Sequence, residues 1–215
     1  ELVRLFRTVS EMGVLTSLDM AMVQEQTEAG SADRAGIIQA VLPYTDFFVP
    51  SVEELLLMLE RERYHDILER SGGRDITEVI SLEEDVKPLA KRCIEMGAGC
   101  VLIKCGAPGL YYKTAGTGFA EMLSQRTGSE RSDWAGQEGF EHSYVPGRVR
   151  SAIGAGDTTI GAFLTAMLDG YPLQRCLQLA TATGASCVET YDALSGLKPF
   201  DELERRIDSG WEKNK

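Results

Sequence analysis

"RSAIGAGDTTIGAFLTAMLDG" (residues 150–170) joins two glycines and an aspartate directly to an apolar helical pattern. Ile160, Phe163, Leu164, Met167 and Leu168 recur at i, i+3, i+4, i+7 and i+8, which is one face of a helix. The start of such a helix leaves N–H groups unpaired and carries a partial positive charge. Gly154 and Gly156 have no β-carbon, so an anion's oxygen can approach the amides of Ala155, Gly156 and Asp157. No Gly-Lys-Ser/Thr follows, and no third glycine completes Gly-x-Gly-x-x-Gly, so the stretch is neither a P-loop nor a dinucleotide fingerprint. Asp157 then needs its own explanation, because a carboxylate repels a phosphate held beside it. A carboxylate fits there if it takes a proton from a hydroxyl attacking the phosphorus. The alternative is an aspartate that simply favours a helix N-terminus.

Working outward, strands alternate with helices. "CVLIKC" (100–105) is apolar almost throughout, as for a strand covered on both faces. "GVLTSLDM" (13–20), "TDFFVP" (45–50), "GLYYK" (109–113) and "SYVPGRVR" (143–150) read as further strands, with a hairpin near 109–150. Helices are expected over 31–44, with Ser31 as N-cap, and over 51–72, 81–99, 172–189 and 199–210. Residues 114–142, rich in Gly, Ser, Thr and charge, read as a long mobile loop. "SGGRDITEVI" (71–80) carries no clear signal. The order implies one α/β domain over 1–215, a three-layer α/β/α sandwich on a mostly parallel sheet. The chain opens in helical register on "ELVRLFRTVSEMG", with Leu2, Leu5, Phe6, Val9 and Met12 in one stripe and no initiator methionine, so sequence upstream of Glu1 is expected.

Composition narrows the function. With 22 Lys+Arg against 33 Asp+Glu, the formal net charge is −11. That argues against nucleic acid and against an anionic membrane surface, but not against a small anion held by backbone amides. No apolar run reaches the roughly 18 residues that span a bilayer. Five cysteines without a Cys-x-x-Cys spacing read as reduced, buried thiols of a cytoplasmic protein. His65 and His142 read as surface groups rather than a metal pair.

The 150–170 stretch resembles the second signature of the ribokinase-like (PfkB) carbohydrate kinases, a helix following Gly-Ala-Gly-Asp. Other blocks agree in order. "TDFFVPSVEEL" resembles a strand followed by Pro-Asn-x-x-Glu, and "VLIKCGAPGLYY" a strand, a Thr-x-Gly-x-x-Gly turn and a hairpin. "LQLATATGASC" resembles the Ala-rich helix after the signature, and "SLDM" stands where a strand ends in Asp-x-Asn. The resemblance implies ATP-dependent phosphorylation of a sugar or related alcohol. It implies Asp157 as general base and Gly154, Ala155 and Gly156 as anion hole. Lys104, Cys105, Gly106, Ala107 and Gly109 would line the nucleotide, with Thr181 on the adenine side. Glu54 would orient Mg²⁺ through water, main-chain oxygens near Ser151 and Ile153 would hold a monovalent cation such as K⁺, and Asp19 would face the substrate.

The departures are specific. Ser51 replaces the Asn of Pro-Asn-x-x-Glu, and "SVEE" is also a plain capping box. Lys104 replaces Thr, Met20–Ala21 replace Pro-Asn, and Ser151 replaces Asp. Asp19 also reads as a strand-end cap. The family's N-terminal third, with its Gly-Gly signature, most sugar contacts and the lid through which relatives often dimerise, has no counterpart here. A non-catalytic nucleotide-binding relative is the second reading, and a Rossmann dehydrogenase a distant third.

Overall fold

The structure, a computed structural model, describes residues 1–23, 27 and 32–214. Five strands form one sheet in the order β1 (Ser17–Leu18), β2 (Phe47–Phe48), β3 (Cys100–Lys104), β4 (Gly109–Thr114), β5 (Glu138–His142). β1, β2 and β3 pair in parallel, and β4 is antiparallel to both β3 and β5. Four of the five strands therefore run the same way. In β3, alternate residues enter opposite cores. Cys100 and Leu102 join Phe47, Phe163 and Leu177 on one face, while Val101 and Ile103 join Phe48, Leu55 and Leu89 on the other. The apolar run at 100–105 reflects this double burial.

The first face is covered by α6 (Thr117–Thr127), α7 (Ala155–Leu168), α8 (Leu173–Cys187) and α9 (Phe200–Asp208). The second is covered by α2 (Arg34–Val41), α3 (Val52–Leu59), α4 (Arg61–Ser71) and α5 (Lys87–Glu95). This is the three-layer α/β/α sandwich.

Several boundaries differ from expectation for visible reasons. The 51–72 helix breaks at Glu60 (φ −140°, ψ 54°). Arg92 donates there to the Leu59 carbonyl and the Glu60 carboxylate, at 3.3 and 3.0 Å. The 81–99 helix begins as a π-turn, Leu82–Val86, beside Pro88, which has no N–H to give. Ser31 lies outside the described residues; Asp33 caps α2 by accepting from the Gly36 amide.

Segment 114–142 is not one long loop. Phe119, Ala120 and Leu123 bury one side of α6, and Gly128 ends it in the left-handed conformation (φ 70°). Trp134 is fully buried, edge-on to Phe47 and Phe163 at 6.3 and 5.7 Å. The second strand of the hairpin is 138–142 rather than 143–150, where Pro146 and Gly147 interrupt and only Tyr144 bridges, to Lys213. α1 (Leu2–Glu11) forms, but its stripe stays partly open, with Leu5 59% and Met12 73% exposed.

All five cysteines are buried and unpaired. Burial pushes the Cys93, Cys105 and Cys176 thiols up to about 12, so they stay protonated near neutral pH. Both histidines are exposed. No helix among the described residues is long and apolar enough to cross a membrane.

Candidate active site

The carboxyl ends of parallel strands are where open α/β sheets place ligands. Asp19 follows β1, Ser51 follows β2 and Lys104 ends β3. The Lys104 amide donates to the Pro50 carbonyl at 2.9 Å, and Lys104 bridges in parallel to Ser51. Lys104 and the start of α3 therefore sit side by side.

Glu54 is committed in part to structure. Its Oε2 accepts from the Ser51 amide at 2.7 Å, while Ser51 Oγ accepts from the Glu54 amide at 3.2 Å. This is the capping box read from "SVEE". Oε1 has no hydrogen-bond partner among the described residues.

α7 begins after Gly154, whose φ is +76°. A β-carbon there would run into Ala193 Cβ. No side chain caps α7. The Ala155 amide closes a turn on the Ala152 carbonyl at 3.2 Å, so it is spent internally. The Gly156 and Asp157 amides have no partner among the described residues. A β-carbon at Gly156 would lie 3.7 Å from Lys104 Nζ, so the lysine head stands against the open end of the helix. Lys104 Nζ in turn contacts both oxygens of Asp19. Asp157 is exposed, and its side chain makes no hydrogen bond or ion pair among the described residues. One end of the sheet thus gathers a cation, free amides, a glycine approach and an uncommitted carboxylate, the elements needed to hold a phosphoryl group and accept a proton.

Cys105 to Gly109 form a tight turn, with φ of +66° at Gly106 and +144° at Gly109. A β-carbon at Gly106 would meet Thr77 Oγ1 at 2.9 Å, and one at Gly109 would strike the Glu141 carbonyl. Both glycines are therefore required by close neighbours. Gly106 and Ala107 are exposed, whereas Cys105 is buried.

Thr181 is only 4% exposed, and its hydroxyl donates to the Leu177 carbonyl within α8 at 3.1 Å. Ser151 Oγ accepts from the Ile153 amide at 3.1 Å. The Ile153 and Ala193 carbonyls both approach Cys187 Sγ, at 3.7 and 3.6 Å. Ala193 belongs to a turn organised by Asp192, whose oxygen accepts from the Leu194 and Ser195 amides. Those bonds, the Ser195 contacts foremost, hold the Asp192 carboxyl below the usual carboxylate range.

Three neighbours of the site carry no sequence signal: Thr77 against Gly106, Ala193 against Gly154, and Asn214, which reaches the Ala107 carbonyl at 2.9 Å. Among the described residues no group of three or more His, Cys, Asp or Glu side chains is arranged to hold a metal alone.

The comparisons with known proteins bear on the family and the fold. The family described as pfkB family carbohydrate kinase matches residues 26–199. An Archaeoglobus fulgidus protein described as an "Uncharacterized sugar kinase" is 25% identical over 162 residues, 75% of this chain and 47% of the relative. The structure of Arabidopsis thaliana ribokinase complexed with ribose and ATP superposes with a TM-score of 0.64 at 19% identity, over 95% of this chain and 51% of that one. An E. coli protein provisionally called Ribokinase II, in complex with ATP and Mg²⁺, gives 0.63 at 22% identity, over 95% and 52%. At such identities the structural matches establish the fold, and the chain spans about half the length of these relatives. The chain belongs to the pfkB family of carbohydrate kinases.

Proposed function

We propose that this chain is the nucleotide-binding and proton-accepting part of an ATP-dependent kinase that phosphorylates a hydroxyl of a sugar or related small alcohol. One observation carries the reading. Asp157, exposed and uncommitted, stands in the first turn of α7 beside the open amides of Gly156 and Asp157 itself.

In this reading the acceptor's O–H proton passes to the Asp157 carboxylate as its oxygen bonds to the γ-phosphorus, and the bond from that phosphorus to the ADP oxygen breaks. The amides after Gly154 and the Lys104 ammonium face the charge that spreads over the transferring group. The 105–109 turn carries the nucleotide. Mg²⁺ fits the donor set, because that ion commonly keeps its waters and leans on one or two carboxylates plus substrate phosphates rather than on an all-protein cage. Glu54 Oε1 is the free carboxylate oxygen on that side; the ion, when bound, would neutralise phosphate charge. A monovalent cation such as K⁺ would, in the same reading, sit on the main-chain oxygens near Ser151 and Ile153.

The test is Asp157→Asn in the full-length protein, with ADP release measured across a panel of sugars and nucleosides. Turnover should fall by a factor of about 10² to 10⁴, the usual worth of general-base catalysis, while ATP-analogue binding persists. Near-normal turnover would remove Asp157 from the base role. A protein that binds the analogue but releases no ADP with any acceptor would instead be a non-catalytic relative.

A further inference from the structure

The 105–109 turn contains two glycines at positive φ, is closed by one internal bond from the Cys105 amide to the Gly109 carbonyl, and is also gripped from outside. Thr77 packs on Gly106 from one side. From the other comes the C-terminal segment 211–214. The Val145 amide donates to the Glu212 carbonyl and the Asn214 amide to the Ser143 carbonyl, both at 2.8 Å, around a Tyr144–Lys213 antiparallel bridge. Trp211 stacks on Tyr144 at 4.7 Å, donates from Nε1 to the Val145 carbonyl at 2.7 Å, and lies beneath the Arg206 guanidinium. Lys213 pairs with the buried carboxylate of Glu141.

These anchors deliver the Asn214 side chain. Its Nδ2 donates to the Ala107 carbonyl at 2.9 Å and to Ser143 Oγ at 2.7 Å, and Ser143 Oγ itself donates to the Ala107 carbonyl. Two donors on one carbonyl occupy both of its lone pairs and fix the Ala107–Pro108 peptide plane. An amide NH₂ is suited to this place because it supplies both protons.

We propose that residues 211–214 are a positioning strap for nucleotide binding, with Asn214 holding the 105–109 turn in its binding conformation through the Ala107 carbonyl. The proposal rests on the kinase reading above. Asn214 is a positioning residue, and the strap sets affinity for the nucleotide without touching the acceptor. Ordering the turn before the ligand arrives removes that ordering cost from binding.

The experiment uses full-length wild-type protein, Asn214→Ala and Asn214→Asp. The aspartate keeps the size and removes both donors. Binding of a fluorescent ATP analogue with Mg²⁺ is titrated, KM for ATP and for the acceptor are measured separately, and amide hydrogen exchange over residues 105–110 is followed without nucleotide. Both variants should weaken the analogue and raise KM for ATP by about fivefold, the factor expected for one lost hydrogen bond of ordinary net strength. KM for the acceptor should stay within twofold, and the Cys105 amide, which donates to the Gly109 carbonyl at 2.9 Å, should exchange faster. Wild-type protein that binds no analogue overturns the kinase reading and the strap's nucleotide role with it. If wild type binds and both variants bind equally, the strap proposal falls alone, whatever the exchange rates. If affinity drops while exchange is unchanged, Asn214 contacts the nucleotide directly, and the positioning role is overturned.

Discussion

Lys104 Nζ lies 2.7 and 2.8 Å from the two carboxylate oxygens of Asp19, joining residues 85 positions apart at the carboxyl ends of β3 and β1. The pair is sheltered, with the lysine side chain 17% and the aspartate 33% exposed. Asp19 Oδ1 also accepts from the Met20 amide at 2.8 Å, so its carboxylate is anchored. A polyphosphate arriving at the open end of α7 would meet a cation already aimed by its counter-ion.

Lys104→Met should therefore weaken transition-state stabilisation, lowering kcat/KM for ATP by about 10² or more, in the range seen when one preorganised donor is removed from an active site. Asp19→Asn should act differently. It frees the lysine, so an ATP analogue should bind equally well or a few-fold tighter at low salt, with the gain shrinking as salt rises. Kinetics of both variants against ATP and acceptor decide the matter. A rise confined to the acceptor KM in Asp19→Asn would place Asp19 on the substrate side instead.

Gly154 gives a second, purely structural prediction. Alanine at φ +76° is strained, and its β-carbon would run into Ala193 Cβ, with the Ala193 backbone only 3.1 Å away. Gly154→Ala should cost about 2 kcal/mol or more in urea unfolding, adding the left-handed penalty to the clash. It should also reduce analogue affinity, because the 188–197 turn is pushed off the helix start. Gly161→Ala is the control, since that glycine lies inside α7 with open space where a β-carbon would go. It should leave stability unchanged or raise it by up to about 1 kcal/mol.

Much of this was legible in the chain because the decisive signals are local. The capping box at 51–54, the glycines at the start of α7 and the doubly buried β3 each declare themselves within a few residues. What was hidden is tertiary. α6 buries only three side chains in a Gly/Thr-rich setting, and Trp134 finds its place only once Phe47 and Phe163 arrive from elsewhere. Asp19 was visible as a strand-end acid, but nothing in the sequence tied it to Lys104. Asn214 sits in a polar stretch that carries no signal of its own, and it reaches Ala107 because contacts such as Trp211 on Tyr144 anchor the segment.

The far end of α7 makes the last prediction. Arg131 is 1% exposed and forms no ion pair among the described residues. Its guanidinium donates to the Tyr171 carbonyl at 2.9 Å and to the Met167 carbonyl, capping the C-terminal end of the helix whose N-terminal end carries Asp157. A cation there is favoured by the helix dipole and adds charged donors to carbonyls otherwise met by the Gly170 amide (Met167) and the Cys176 thiol (Tyr171). Arg131→Met should destabilise the protein by about 2 to 4 kcal/mol, because the buried Met167 carbonyl and the part-buried Tyr171 carbonyl lose charged donors. Arg131→Lys should recover little, since an ammonium cannot fork to both carbonyls while lying over Trp134 as the guanidinium does at 6.0 Å. Urea unfolding checks the size of the loss. Turnover, measured well below the unfolding midpoint, should stay near wild type for both variants, because Asp157 lies at the opposite end of an otherwise intact helix. A large kcat loss in a fully folded variant would show instead that the two ends of α7 are coupled.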